Sequence, residues 1–280
     1  MRVRTSSAES ERASLGSAPS SQPRRNSQVA GDGWCLGELL AVGGTAEVWR
    51  AVDSSGRTAA LKILRPEWRQ RAEASQLLAR EYELLARLAH PNVIRPLGLV
   101  AHDATQALAL EFLPGGDLVP LLGEHPRHWL AALRGVLAGL MAVHARGFAH
   151  GDLKARNVLF AADGTPRLID FASARSLDAC GAPLAGATAA HVPADFSGSG
   201  READQFALAV CLYELLTGRL PFGVRGAQRR GEVPPPWSAP DAPAAGLMAV
   251  AVTALGAGGR AKGGLSVFAD VIESAITAYS

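Results

Sequence analysis

Three segments of the chain carry apolar residues in patterns that predict helices. In residues 73–89 the leucines keep helical spacing: Leu77, Leu78, Leu84, Leu85 and Leu88. Residues 204–217 are apolar on nearly all faces, so this helix must be buried, and Gly218 with Pro221 marks its end. Residues 244–255 are too few to span a membrane and predict another buried helix.

Shorter apolar runs predict strands that carry charged side chains. Residues 58–64 contain Lys62, whose ammonium group must reach either the surface or an anion, because burying it unpaired is costly. Residues 168–171 predict a buried strand that delivers Asp170 to its end, where a metal could sit. Residues 108–113 predict a further extended, apolar segment.

The chemistry of the chain is concentrated in residues 150–170. Asp152 is followed by Lys154 after two positions and by Asn157 after five, and Asp170 lies thirteen residues past that asparagine. In phosphoryl transfer one carboxylate takes a proton from a hydroxyl, an ammonium group steadies the moving phosphoryl group, and an amide with a second carboxylate holds magnesium. The spacing is therefore typical of a phosphotransferase.

These residues resemble the catalytic and metal-binding loops of eukaryotic-type (Hanks-type) serine/threonine protein kinases. The resemblance implies that Asp152 accepts a proton from the substrate hydroxyl and that Lys154 offsets charge on the γ-phosphate. It also implies that Asn157 and Asp170 hold Mg²⁺ or Mn²⁺, and that ATP is the phosphoryl donor.

Further motifs of that family follow the expected order. Residues 40–48 resemble its glycine-rich loop, with Ala41 and Ala46 at the first and third glycine positions. Lys62 resembles the family's nucleotide-binding lysine, and Glu81 resembles its ion-pair partner, although either residue alone could be a solvated surface charge. The resemblance implies an ATP site formed by Ala41, Val42, Gly43, Gly44, Val48, Ala60, Lys62, Glu81, Glu111, Leu113, Asp117 and Leu159.

Residues 108–118 resemble the hinge that binds adenine. Backbone groups of Glu111 and Leu113 would meet the adenine ring, with Leu110 behind it. Asp117 matches the position that contacts the ribose hydroxyls, but a helix N-cap explains this aspartate equally well.

The helix at 204–217 resembles the central helix of the family's large lobe. Asp204 would brace the backbone of the catalytic loop, and Thr188 would bridge its aspartate and lysine. Asp195 matches an acidic position whose usual partner corresponds to Arg260, although both could be unpaired surface charges.

The chain departs from the family at several positions. Ala172 and Ala194 replace the glycine and proline of two activation-segment motifs. Gly151 stands where most regulated kinases carry an arginine that pairs with a phosphorylated residue. We therefore expect activity without phosphorylation of the activation loop, where Ser173 and Ser176 lie.

The resemblance implies an α+β, bilobal fold. We expect a small antiparallel β-sheet lobe with one helix at 33–113 and a larger, mainly helical lobe at 114–280, together one kinase domain at 33–280. Residues 1–32 are rich in serine and arginine, which predicts a disordered tail. The short, proline-containing stretch between Phe222 and Arg260 predicts that the family's substrate-docking helix is trimmed or missing.

Composition favours a cytoplasmic enzyme. The net charge is +2, and residues 1–32 supply an excess of arginine, so the rest is near neutral and gives no case for nucleic-acid binding. Three cysteines without metal-site spacing are consistent with a reducing compartment. No run approaches the length of a membrane span. The alanine, glycine and arginine bias suggests a high-GC bacterial coding sequence, and the serine-rich start would also suit a translocated effector.

The leading hypothesis is ATP-dependent phosphorylation of serine or threonine residues on unknown protein substrates. One alternative is a small-molecule or lipopolysaccharide-type sugar kinase, since the His150-Gly151-Asp152 start of the loop also resembles those enzymes. The other is a pseudokinase that acts as a binding module, motivated by the alanines in the glycine loop and activation segment.

Overall fold

The first third of the structure is dominated by strands and the remainder by helices. The computed structural model describes residues 29–30, 33–69, 71, 73–103, 105–181, 188–193, 197–227, 231–260 and 262–280. The strands are β1 Val29–Ala30, β2 Trp34–Val42, β3 Ala46–Val52, β4 Thr58–Leu64, β5 Pro96–His102, β6 Thr105–Glu111, β7 Phe148–Ala149, β8 Val158–Phe160, β9 Pro166–Leu168 and β10 Arg175–Ser176. The helices are α1 Pro66–Arg69, α2 Ala74–Arg87, α3 Leu130–Ala145, α4 Gly200–Thr217, α5 Ala242–Gly256 and α6 Leu265–Tyr279.

Six antiparallel strands form the sheet of the small lobe, in the order β1-β2-β3-β4-β6-β5. Strand β4 lies inside this sheet, which is why every residue after Thr58 in it is buried, including Lys62. Strand β1 falls at the end of the segment predicted to be disordered. Residues 1–28 and 31–32 lie outside the described part of the chain.

Helix α2 covers one face of the sheet through the leucines that predicted it. Its apolar side chains pack against β5 and β6, with Leu78, Leu84 and Leu85 buried. Glu81 lies one turn from both Leu78 and Leu85, so it shares their face. The hydrophobic pattern of this helix therefore directs a carboxylate toward β4.

The large lobe is built around α4, which packs against α5. This helix begins four residues before the predicted start because Ser199 and Glu202 form a capping box. The Ser199 hydroxyl accepts from the Glu202 backbone N–H at 3.4 Å, and the Glu202 carboxylate accepts from the Ser199 N–H at 3.0 Å. Gly218 ends the helix with φ +69°, as its sequence position predicts.

Strand-rich and helix-rich halves confirm the predicted bilobal α+β fold. Two 2-stranded ribbons, β7 with β10 and β8 with β9, flank the loops that carry Asp152, Asn157 and Asp170. From 219 to 241 the described residues, which exclude 228–230, contain neither helix nor strand, and a trimmed docking helix stays a prediction. None of the helices in the described ranges is long and apolar enough to cross a membrane.

Candidate active site

Lys62 lies at the centre of an ion network that joins the two lobes. Its Nζ donates to both carboxylate oxygens of Glu81, at 2.9 and 2.8 Å, and to Oδ1 of Asp170, at 2.7 Å. The three residues come from β4, α2 and the turn after β9. Because an ammonium group has three donors, the hydrogen-bonding capacity of Lys62 is filled. The lysine is thus buried and paired rather than a solvated surface charge.

The charges of this network are set by the balance between burial and pairing. Burial alone would lower the pKa of Lys62, but the carboxylates of Glu81 and Asp170 outweigh it, and the pKa of Lys62 is raised. Burial would raise the pKa of Asp170, whereas the ammonium group of Lys62 lowers it, and the net result is a lowered pKa. The cleft therefore presents a fixed cation and a fixed anion at neutral pH.

The backbone holds Asp170 in a left-handed conformation, with φ +61° and ψ +75°. This conformation is unfavourable for a residue with a side chain and persists only where neighbours enforce it. Here the next residue supplies the restraint. The Phe171 N–H donates to Glu81 Oε1 at 3.2 Å, and the Phe171 ring packs on His150 with centroids 4.7 Å apart. Ala172 lies in the turn that follows.

The catalytic loop brings Asp152, Lys154 and Thr188 together. Lys154 Nζ donates to Asp152 Oδ2 at 2.6 Å and to Thr188 Oγ1 at 2.8 Å. The Thr188 N–H donates to the other Asp152 oxygen at 2.9 Å. Both oxygens of the candidate base are therefore oriented, and the activation segment is tied to it through Thr188.

Asn157 links this group to Asp170. Its Nδ2 donates to the Asp152 carbonyl at 2.7 Å and to Asp152 Oδ2 at 3.1 Å, which leaves its side-chain oxygen as the ligand atom. Its own carbonyl accepts from the Ile169 N–H at 3.0 Å, directly before Asp170. An amide oxygen and a partly exposed carboxylate are the hard oxygen donors that Mg²⁺ or Mn²⁺ prefers.

Asp204 braces the loop from within α4. This carboxylate is fully buried and accepts from the backbone N–H groups of His150, at 2.8 Å, and Gly151, at 2.9 Å. It also contacts His144 Nε2 at 2.8 Å. Sequence reasoning missed His144, although it is the single histidine in helix α3, whose other residues apart from Arg134 are apolar.

Gly151 cannot carry a side chain in this loop. Its φ is +81°, and a Cβ added to it would overlap the carbonyl oxygen of Ser173. The close packing between the catalytic loop and the segment after Asp170 therefore requires glycine at position 151, where the chain departs from the family.

The glycine-rich loop is the hairpin between β2 and β3. The Gly43 N–H donates to the Ala46 carbonyl at 2.8 Å, and Ala41 pairs with Val48 across the strands. A Cβ on Gly44 would have no heavy atom within 4 Å, so there is open space around this residue. Val42 in this hairpin is exposed.

The hinge begins at the end of β6, which pairs with β4, so residues predicted to contact adenine lie on two neighbouring strands. Ala60 pairs in register with Leu110, and both are buried. Among the described residues, nothing accepts a hydrogen bond from the Leu113 N–H, which leaves a donor for a planar heterocycle. The backbone N–H of Glu111 is already bonded to the Arg95 carbonyl at 3.0 Å.

Asp117 lies one residue before Leu118, which is the N-cap of the short 3-10 turn Val119–Leu121. Its Oδ1 accepts from the Val119 N–H at 3.1 Å, and its backbone forms a bridge with Leu159. A contact with ribose stays a prediction. Arg260 Nε donates to Glu202 at 3.1 Å, while its expected partner Asp195 lies outside the described residues, as does Ala194.

Comparison of the chain with known proteins finds a matching family and several similar proteins. The family model described as protein kinase domain matches residues 34–233. Serine/threonine-protein kinase PkaA of Streptomyces coelicolor is 35% identical over 218 residues, which cover 69% of this chain and 40% of that protein. CBL-interacting protein kinase 4 of Oryza sativa is 34% identical over 228 residues, covering 72% and 50%. Serine/threonine-protein kinase PknL of Mycobacterium tuberculosis is 33% identical over 197 residues, covering 65% and 49%. The chain spans half or less of the length of these relatives.

Proposed function

The chain belongs to the protein kinase family, and we propose that it transfers the γ-phosphoryl group of ATP to serine or threonine hydroxyls of proteins. The observation that supports this most is the position of Asn157. Its side chain bonds Asp152 and its backbone bonds the residue before Asp170, so the candidate base and the candidate metal ligand belong to one site.

The residues take roles that their contacts allow. Asp152 accepts the proton of the attacking hydroxyl, since its two oxygens are already oriented by Lys154 and Thr188. Lys154 remains beside that carboxylate and offsets negative charge on the transferred phosphoryl group. Lys62, fixed by Glu81, binds the α- and β-phosphates with the donor that is directed at Asp170 in the structure.

The metal site fits a hard divalent cation. Asn157 and Asp170 would hold it, and Mg²⁺ or Mn²⁺ there would neutralise charge on the phosphate oxygens. Because Asp170 Oδ1 is bonded to Lys62, Oδ2 would be the carboxylate oxygen offered to the cation.

Lys154 and Thr188 support a serine or threonine acceptor. Serine/threonine kinases place lysine two residues after the catalytic aspartate, and the lysine here is fixed at 2.8 Å from the Thr188 hydroxyl. The names of the bacterial relatives agree with this assignment. We propose that the activity is cytoplasmic; the free thiols Cys35, Cys180 and Cys211 suit a reducing compartment.

Transfer of labelled γ-phosphate to a generic protein substrate tests the proposal. We expect Asp152→Asn to abolish labelling, because the amide cannot accept the proton. Asp163→Asn is the matched control, since this exposed aspartate only caps the turn between β8 and β9. Label found only on a small-molecule acceptor, or ATP binding without any turnover in the wild type, would overturn the proposal.

A further inference from the structure

Three side chains that bind transition metals meet where the activation segment packs on α4. They are His191, from the turn after Thr188, and Cys211 and Glu214, which lie one helical turn apart on α4. One donor atom from each lies within 4.8 Å of the others. None of this chemistry is used by the phosphoryl-transfer site described above.

The cluster is buried, and one of its polar atoms lacks a partner. His191 and Cys211 are buried, and only 12% of the Glu214 side chain is exposed. His191 Nε2 lies 3.2 Å from Glu214 Oε2, whereas His191 Nδ1 has no hydrogen-bond partner among the described residues. Nδ1 and Nε2 point in different directions from the ring, so an ion shared with Glu214 would bind through Nε2, the nitrogen that faces Glu214.

The chemical nature of the three ligand groups indicates which metal ion the cluster would bind. A thiolate is too soft for Mg²⁺ or Ca²⁺, and a combination of imidazole, thiolate and carboxylate is typical of tetrahedral Zn²⁺. Zinc bonds of about 2.0–2.1 Å at a tetrahedral angle place nitrogen and oxygen about 3.3 Å apart. The 3.2 Å between His191 Nε2 and Glu214 Oε2 is compatible with that separation as well as with a direct hydrogen bond.

We propose that His191, Cys211 and Glu214 bind a zinc ion that clamps the activation segment to α4, with water as the fourth ligand. The clamp would act next to catalysis, because His191 lines the same small cavity as Asp152 and Thr188. The site is independent of the proposed function, since it could bind zinc in a chain that transfers no phosphate.

Cobalt spectroscopy tests the site directly. The chain is prepared with Cys35→Ala and Cys180→Ala, which leaves Cys211 as its single thiol. It is stripped with chelator and titrated with Co²⁺ in the absence of nucleotide. We expect a thiolate-to-cobalt charge-transfer band that saturates at one equivalent and is removed by Zn²⁺. Cobalt held by Asn157 and Asp170 would give no such band, because neither residue has sulfur.

Ligand variants in the same background separate a zinc site from a hydrogen-bonded pair. Cys211→Ala should abolish the band, and Cys211→Ser serves if the alanine variant does not fold, as judged by circular dichroism. His191→Gln and Glu214→Gln should each weaken binding at least tenfold. The absence of a band in the single-thiol protein would overturn the proposal. A band whose affinity is unchanged in His191→Gln and Glu214→Gln would overturn it as well.

Discussion

The ion pair between Lys62 and Glu81 predicts a sharp difference between two glutamates on the same helix. Glu81 is buried and accepts three hydrogen bonds, two from Lys62 and one from the Phe171 N–H. Glu83 stands two residues further along α2 and is exposed. Replacing either residue by glutamine keeps its volume and removes its charge, so the pair of variants isolates the buried contact.

The magnitude follows from the bonds that Glu81→Gln would lose. Lys62 would keep Asp170 and one amide oxygen but would lose one charge-assisted hydrogen bond, which is worth about 1.5–3 kcal/mol. We expect the free energy of unfolding to fall by about 2 kcal/mol. If the same interaction positions Lys62 for ATP, kcat/KM for ATP falls about 10–100-fold, which corresponds to about 1.4–2.7 kcal/mol.

Urea unfolding and a steady-state assay with varied ATP would measure both effects. Glu83→Gln should change the free energy of unfolding by less than about 0.5 kcal/mol and leave kcat/KM unaltered. The reasoning is refuted if Glu81→Gln and Glu83→Gln give the same unfolding free energy and the same kcat/KM.

Three further predictions concern the loops around the site. Gly151→Ala should lower the free energy of unfolding by about 1–3 kcal/mol more than Gly147→Ala, because both glycines have φ +81° but only the first lacks room for a Cβ; equal losses in urea unfolding would contradict this. The double variant Ser173→Ala, Ser176→Ala should retain phosphoryl transfer in the labelled-ATP assay, since no arginine at 151 needs a phosphate partner; loss of activity would show that loop phosphorylation is required. The pKa of Asp170 is lowered, so its stabilising contribution is complete above its unfolded value, about pH 4, and is lost as the pH falls through the folded pKa. The difference in unfolding free energy between wild type and Asp170→Asn should therefore shrink in acid, and a difference that stays constant to about pH 2 would disprove the pairing.

The hydrophobic spacing along the chain predicted which segments form helices better than it predicted where those helices begin or what they contact. The leucine spacing in 73–89 and the apolar run at 204–217 predicted α2 and α4, because burial sets those patterns. The start of α4 was placed too late, since the Ser199–Glu202 capping box lies before the apolar run. Strand β1 carries no apolar alternation and forms by pairing with β2.

Spacing along the chain indicated which residues carry the chemistry, and the fold determined how they meet. From the sequence, Lys62 could be either a solvated charge or one half of an ion pair. The packing of α2 on the sheet brings Glu81 to it and forms the pair. Asp117 was open to two roles; it accepts a hydrogen bond from the Val119 N–H, but Leu118 occupies the N-cap position. The overlap between Gly151 and Ser173, which are twenty-two residues apart, follows from no local pattern.

The attachment of the catalytic loop to Asp204 has a consequence for heat resistance. Because that carboxylate belongs to a helix with a fully buried centre, the loop can detach only when α4 leaves the interior. The hairpin at Gly43 and Gly44 is held from outside by Arg65, whose backbone N–H and partly exposed guanidinium bond the carbonyls of Thr45 and Gly43, and these bonds can break without disturbing the core. On warming, the affinity for ATP should therefore fall first. The geometry around Asp152 should persist until the whole domain unfolds.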